Sequence, residues 1–312
     1  MPRIRVSYYD VVGKALAHLP DPEVGRAITN MSATYRAGRA DLDFASEVGR
    51  AAYAWHLLPA HVSDLTRLLY DLPQVLTGRA ALRVLALGAG PGTEALALLE
   101  AVSTLKARGD LAELERVEVV RVDRESNWDE TCARLLTAAR EAVAARRTGL
   151  GETWELEVSP QALRCDLTQP LPSDVLAARA RADLVIAANL VSEVAPRGTE
   201  QLPDGLREAW EDLLAPGQVT TDFLVLDRMN APGVAGRLEE LSELAVEQGG
   251  EVEGPVPRQT TCDFALTRRV KALYEHVQLP TTNHEDRPVR SCKTLWLHAF
   301  VRGVGEPGSG EG

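Results

Sequence analysis

Lysine and cysteine are both rare in this chain of 312 residues. Four lysines stand against thirty arginines, and the four cysteines (Cys132, Cys165, Cys262, Cys292) lie far apart in no metal-ligating spacing. That pattern excludes a disulfide scaffold and predicts reduced, buried thiols. No apolar run approaches the roughly 18 residues of a membrane-spanning helix. Met1–Asp10 has no apolar stretch of signal-peptide length, so the expected location is the cytosol. Positive charge is in deficit: the net charge of −11 argues against a protein that coats nucleic acid through bulk charge. Residues 255–303 reverse this locally, with 8 Lys/Arg against 4 Asp/Glu, which leaves room for an RNA or ribosome contact there. The rest is ordinary. Hydrophobic residues at 45% and charged residues at 25% describe a globular protein with enough apolar surface for a core. The length fits two domains, or one large α/β domain with additions.

Residues 1–79 read as a helical cap. From Asp43 to Leu72, residues such as Phe44, Val48, Ala51, Trp55, Leu58, Val62, Leu65 and Leu68 recur at spacings of three and four, with Pro59 as a break. From residue 80 the period changes. Leu82–Leu87, Val117–Asp123, Trp154–Val158, Asp183–Ala188, Val219–Leu226 and Thr294–Val301 read as strands. Glu94–Val102, Asn127–Arg147, Leu206–Leu214 and Val234–Gln248 read as helices. This alternation predicts a mainly parallel sheet with helices on both faces across residues 80–302. The glycine-rich end, 303–312, is expected to be disordered.

Between the first strand and its helix stands Gly88-Ala-Gly-Pro-Gly-Thr93. Glycines at 88, 90 and 92 allow a sharp turn and close approach of a ligand to the backbone. The helix that follows points free N–H groups at the same place. Such a turn alone also serves plain strand–helix packing. Asp123 ends the next strand 33 residues after Gly90, where a carboxylate can accept hydrogen bonds from a ribose diol. The dinucleotide fingerprint needs Gly or Ala where Thr93 stands and an acid about 20 residues on. A dinucleotide-dependent oxidoreductase is therefore the weaker alternative. No Gly-Lys-Ser/Thr follows, which excludes a triphosphate-binding loop.

Over residues 80–302 the pattern resembles class I S-adenosylmethionine-dependent methyltransferases. The landmarks are Leu87–Thr93, Asp123, Asp166 within Cys165-Asp-Leu167, Asp183–Val194, and Leu213-Leu-Ala-Pro-Gly217 ahead of a strand. The resemblance implies a Rossmann-like methyltransferase fold with a mainly parallel seven-stranded sheet, and S-adenosylmethionine as cofactor. It places Gly88, Ala89, Gly90, Gly92 and Thr93 under the methionine moiety and Asp123, with Arg124 beside it, at the ribose. Asp166 and Leu167 fall at the adenine, and Asn189 and Leu190 on the sulfonium side. One departure is clear. The family's acid two residues before the first glycine, which helps fix the methionine amino group, is Ala86 here. A narrower resemblance links Met31–Arg36, Arg50–Tyr53, Leu58–His61 and Thr261-Cys-Asp-Phe264 to the small-ribosomal-subunit methyltransferase-like family. That family's cysteine cluster is missing apart from Cys262, so no metal is expected. It also supplies an alternative function, a non-catalytic ribosome or RNA assembly factor.

Methyl transfer from a sulfonium is an in-line displacement that orientation can accelerate without a dedicated base. Familiar acceptor signatures are absent: Asn189 is followed by Leu-Val-Ser rather than Pro-Pro-aromatic, and no Pro-Cys nucleophile occurs. The acceptor is left open among rRNA, protein and small molecules. Glu193 and His284 are the acid–base candidates near it. His56 and His61 lack the carboxylate of a zinc-protease motif. Phe44, Tyr53 and Trp55 read as packing residues, with a lid over the cofactor as the alternative. Arg258, Arg268, Arg269 and Lys271 read as a solvated face or, alternatively, a phosphate contact.

Overall fold

The computed structural model describes residues 6–36, 43–146, 154–194, 199–261, 268–278 and 291–304. Four helices come first: α1 (Tyr8–Ala15), α2 (Asp21–Arg36), α3 (Glu47–His56) and α4 (Leu58–Asp71). The Ser46 side chain accepts the Gly49 amide and so caps α3. The break falls at Leu57, and Pro59 sits in the first turn of α4, where a missing N–H removes no helical bond.

The sheet contains β1 (Ala81–Leu87), β2 (Arg116–Asp123), β3 (Glu155–Val158), β4 (Leu163–Arg164), β5 (Leu184–Ala188), β6 (Thr221–Arg228), β7 (Glu251–Thr261) and β8 (Ser291–Val301). Their order is β3-β2-β1-β5-β6-β8-β7, with β4 pairing β2 off this path. All pairs are parallel except those of β8, which runs antiparallel to both β6 and β7. The strand order and the reversed strand define the Rossmann-like methyltransferase fold expected from the sequence. The seven strands of that expectation form the path, and the eighth is the two-residue β4.

Helices α5 (Thr93–Arg108), α6 (Trp128–Ala144), α7 (Ser173–Arg179), α8 (Val191–Val194), α9 (Asp204–Leu214), α10 (Val234–Glu247) and α11 (Arg268–Tyr274) complete the fold. Side chains alternate across a strand, so β1 sends Val84 and Ala86 to one face and Leu85 and Leu87 to the other. The first face meets α5, α6 and the N-terminal helices in one continuous core. The second meets α7, α9 and α10. Helix α5 lies between the sheet and α4, and its Ala95-Leu-Ala-Leu-Leu99 run is buried all round. Polar links tie the cap down: Arg50 donates to Thr131 of α6 at 3.2 Å, and Thr294 of β8 donates to Asp64 of α4 at 2.8 Å. Arg258 of β7 lies 3.4 Å from Asp64 and 2.5 Å from Asp71. Among the described residues no helix is long and apolar enough to cross a membrane. The chain crosses from one face to the other beside the carboxyl ends of β1 and β5, where open α/β sheets form a crevice.

Candidate functional site

A cavity occupies that crevice, with about 790 Å³ of empty space, part of it open solvent. Nine of the residues expected there line it: Gly88, Gly90 and Thr93 from the glycine turn, Asp123 and Arg124 after β2, Asp166 and Leu167 after β4, and Asn189 and Leu190 after β5. Ala89 and Gly92 do not reach the wall. Ala89 is buried with its N–H on the Val122 carbonyl, and Gly92 packs behind the turn.

The three glycines do different jobs. All have positive φ (61°, 41° and 88° for Gly88, Gly90 and Gly92). A Cβ on Gly88 would stand 2.6 Å from Leu190 Cδ1, and one on Gly92 would stand 2.6 Å from Cys132 Sγ. Those two positions serve packing. At Gly90 the nearest atoms, on Gly88 and Trp128, are 3.8 Å away, so this residue presents bare backbone to open space.

Asp123 is buried at 8% exposure. Its Oδ2 accepts the Gly90 amide at 2.7 Å and its Oδ1 accepts the Glu125 amide at 2.8 Å. Burial raises its pKa, while these two bonds and Arg121 pull it back down. Each oxygen keeps a further lone pair. Asp166 accepts both the Thr168 amide (3.0 Å) and hydroxyl (2.7 Å) on Oδ1, and these bonds hold its pKa below the usual carboxylate value. Asn189 is the one non-glycine residue with positive φ among the described residues, at 59°. It is 3% exposed, its N–H is bound to the Leu226 carbonyl at 2.7 Å, and its Oδ1 has no partner. A strained backbone with a buried unpartnered polar atom is characteristic of ligand sites.

The cap contributes directly. Phe44 and Tyr53 line the cavity together with Trp128 of α6. Ring centroids lie 5.6 Å apart for Phe44–Tyr53, 5.0 Å for Phe44–Trp128 and 5.7 Å for Tyr53–Trp128, in tilted or edge-on contacts. Two of the residues read as packing thus pack and also form wall, whereas Trp55 is buried beneath the Arg269 guanidinium. Beside Asn189, Glu193 lines the cavity and accepts the Tyr35 hydroxyl at 3.1 Å. Burial raises the Glu193 pKa, opposed by Arg228 and Tyr35. Arg228 lies 5.1 Å over the Tyr35 ring and donates to Ser192 Oγ at 3.0 Å.

His284 and Cys262 lie outside the described residues. His56 is bonded to the Tyr274 hydroxyl at 2.9 Å, and burial pushes the His61 pKa down to about 3, so that ring is neutral. No cluster of three metal-ligating side chains occurs among the described residues. Of the four basic residues singled out near the C-terminus, Arg258 is paired with Asp64 and Asp71, and Arg269 donates to the carbonyls of Gly13 and Leu16. Arg268 and Lys271 are exposed.

Sequence reasoning missed Trp128 and Glu125 of the cavity lining, and the burial of Glu94, which lies outside that lining. Trp128 carries a usable signal, an aromatic at a helix start just after the strand-ending acid. Glu94 carries another, an acid lodged between the glycine turn and the apolar Ala95–Leu99 run. It is 1% exposed, burial pushes its pKa up to about 8, and its Oε2 has no partner.

No family model matches the chain, and no curated protein matches it. Solved structures do. A Listeria monocytogenes protein assigned to the class I S-adenosylmethionine-dependent methyltransferases is 12% identical with a TM-score of 0.45, covering 98% of this chain and 90% of its own. Precorrin-6y C5,15-methyltransferase from Geobacter metallireducens is 11% identical with a TM-score of 0.34, covering 75% of this chain and 88% of its own. YcgJ from Bacillus subtilis is 15% identical with a TM-score of 0.38, covering 77% of this chain and 98% of its own.

Proposed function

We propose that this protein is an S-adenosylmethionine-dependent methyltransferase. The observation that carries the reading is one cavity in which bare backbone at Gly90, a buried acid after β2, a second acid after β4 and a strained Asn189 after β5 all converge. The residues fit the cofactor. The space over Gly90 takes a ligand where any Cβ would intrude, and the free lone pairs of Asp123 suit two ribose hydroxyls. Asp166, held ionised by Thr168, suits the exocyclic amine of adenine, with Leu167 as an apolar contact for the base.

The bound cofactor would supply a methyl group on a positively charged sulfur. The chain's part is to hold and orient. Phe44, Tyr53 and Trp128 present π surfaces that attract a cation and exclude water. Asn189 and Glu193 stand on the remaining side, where an acceptor would enter, and the raised proton affinity of Glu193 suits it to take a proton from the acceptor. Alignment of acceptor and methyl group can then provide much of the acceleration. The acceptor itself, whether rRNA, protein or metabolite, stays outside this reading.

Thermal denaturation with S-adenosylhomocysteine, NAD and NADP tests the proposal. The expected result is a raised Tm with S-adenosylhomocysteine alone. Protection by a dinucleotide and none by S-adenosylhomocysteine would overturn it in favour of an oxidoreductase. Labelled methyl transfer into cell extract, fractionated into RNA, protein and small molecules, then identifies the acceptor class.

A further inference from the structure

We propose that Tyr35 of α2 is the positioning residue for Glu193: its hydroxyl fixes one carboxylate oxygen and leaves the other for the proton that an acceptor gives up. The inference rests on the methyltransferase reading above and deepens it. Glu193 lies in the short helix α8 and lines the cavity. Its Oε1 accepts the Tyr35 hydroxyl at 3.1 Å, and no other hydrogen bond to this carboxylate occurs among the described residues. Oε2 is therefore the oxygen left to act on the acceptor. The contact joins residues 158 positions apart, so only docking of the cap against the sheet domain makes it.

The pair is held from the β6 side as well. Arg228 lies 5.1 Å over the Tyr35 ring and donates to Ser192 Oγ at 3.0 Å. Asp227 is fully buried and accepts the amides of Ser192 (2.8 Å) and Arg228 (2.6 Å), which ties α8 to β6. The titratable and charged groups that face Glu193 are Tyr35 of α2, Tyr53 of α3, Asp123 of β2, and Asp227 and Arg228 of β6. Burial favours the protonated carboxyl, and the two neighbouring acids reinforce it. Arg228 opposes them as a cation, and the Tyr35 hydroxyl as a donor that bonds an anion most strongly. A carboxyl that is already protonated cannot act as a base. Tyr35 thus keeps Glu193 open as well as oriented: the acceptor's bond to hydrogen breaks, and the proton passes to Oε2 and then to solvent.

Infrared titration tests the assignment without an acceptor. The protonated-carboxyl band that Glu193→Gln removes belongs to Glu193, and its midpoint is followed against pH. Tyr35→Phe keeps the ring beneath Arg228 and deletes the hydroxyl alone. The midpoint is expected to move up by roughly one to two pH units, the size of one lost hydrogen bond to a charged group. Unchanged S-adenosylhomocysteine affinity in the same variant shows that it folds. An unmoved midpoint overturns the assignment. Labelled methyl transfer into cell extract supplies a second readout: in Tyr35→Phe the acid limb of the pH profile should shift upward with the midpoint. A lower rate with an unshifted limb overturns the assignment, because a purely structural role predicts that result. Unmodified protein that binds no S-adenosylhomocysteine overturns the methyltransferase reading instead, and the infrared midpoint still decides whether Tyr35 governs the Glu193 proton.

Discussion

The Gly90 amide donates to Asp123 Oδ2 at 2.7 Å, joining the glycine turn after β1 to the acid that ends β2. The two expected ligand contacts are therefore one unit, and the distance between them is fixed before any ligand arrives. The Glu125 amide holds the other oxygen at 2.8 Å, so the carboxylate cannot rotate away. Such pre-ordering lowers the entropic cost of binding.

Removing this acid should weaken nucleoside binding and loosen the turn together. Asp123→Ala is expected to cost about 1.5–3 kcal/mol in S-adenosylhomocysteine affinity, the range for hydrogen bonds to a charged group. Asp123→Asn keeps one oxygen and should lose less. Calorimetry on both variants checks the order, and unchanged affinity in Asp123→Ala removes the acid from the site.

The glycines separate packing from binding. Gly92→Ala places a Cβ 2.6 Å from Cys132 Sγ and forces an L residue to φ 88°, so a lowered Tm is expected. Adding Cys132→Ala removes the collision and should restore part of the loss. The remainder is left-handed backbone strain of about 1–2 kcal/mol. Gly90→Ala meets nothing closer than 3.8 Å, so its stability loss should be that strain alone while ligand affinity falls much further. Thermal melts with and without S-adenosylhomocysteine distinguish the two behaviours.

The strands and the turn were readable because burial on both sheet faces leaves a plain mark. Leu184-Val-Ile-Ala-Ala188 is apolar without interruption, as a strand covered on two sides must be. Strand β7 left no such mark. It lies at the sheet edge, carries Pro255 and Pro257, and exposes much of its length, so no apolar run announces it. The acids at 123 and 166 were legible from their order along the chain, but the aromatic wall was not. Phe44 and Tyr53 obey the same helical spacing as their core neighbours. Their meeting with Trp128 is a tertiary contact that local periodicity cannot encode. Glu94 was hidden for a related reason, since one acid in a helix reads as solvated until the cap is seen to cover it.

Two buried groups should shape the dependence of stability on pH. Glu94 has its pKa raised from 4.5 to about 8 by burial. Its contribution is fully present below pH 4.5 and is lost as pH rises through about 8. His61 has its pKa lowered from 6.5 to about 3. Its contribution is present above pH 6.5 and is lost as pH falls towards about 3. Denaturant titrations across pH 4 to 9 should show Glu94→Gln flattening the alkaline limb and His61→Gln flattening the acid limb. Parallel curves for variant and unmodified protein would show that neither group changes its proton affinity on folding.

The link between cap and sheet should fail through Asp64 rather than Asp71. Arg258 faces both, but Asp64 is 1% exposed on its side chain and Asp71 is 62% exposed. Exposed pairs contribute little, whereas stripping a buried carboxylate of its cation costs about 3–5 kcal/mol. Arg258→Ala should therefore be strongly destabilising, and Asp71→Ala nearly neutral. Burial raises the Asp64 pKa, so the damage in Arg258→Ala should shrink as the pH falls and Asp64 takes up a proton. A background carrying Asp64→Asn should reduce the cost of Arg258→Ala, because no buried charge is then left unpaired. Equal costs of Arg258→Ala in the two backgrounds, measured by urea unfolding, would place this arginine's contribution elsewhere, in its packing along β7.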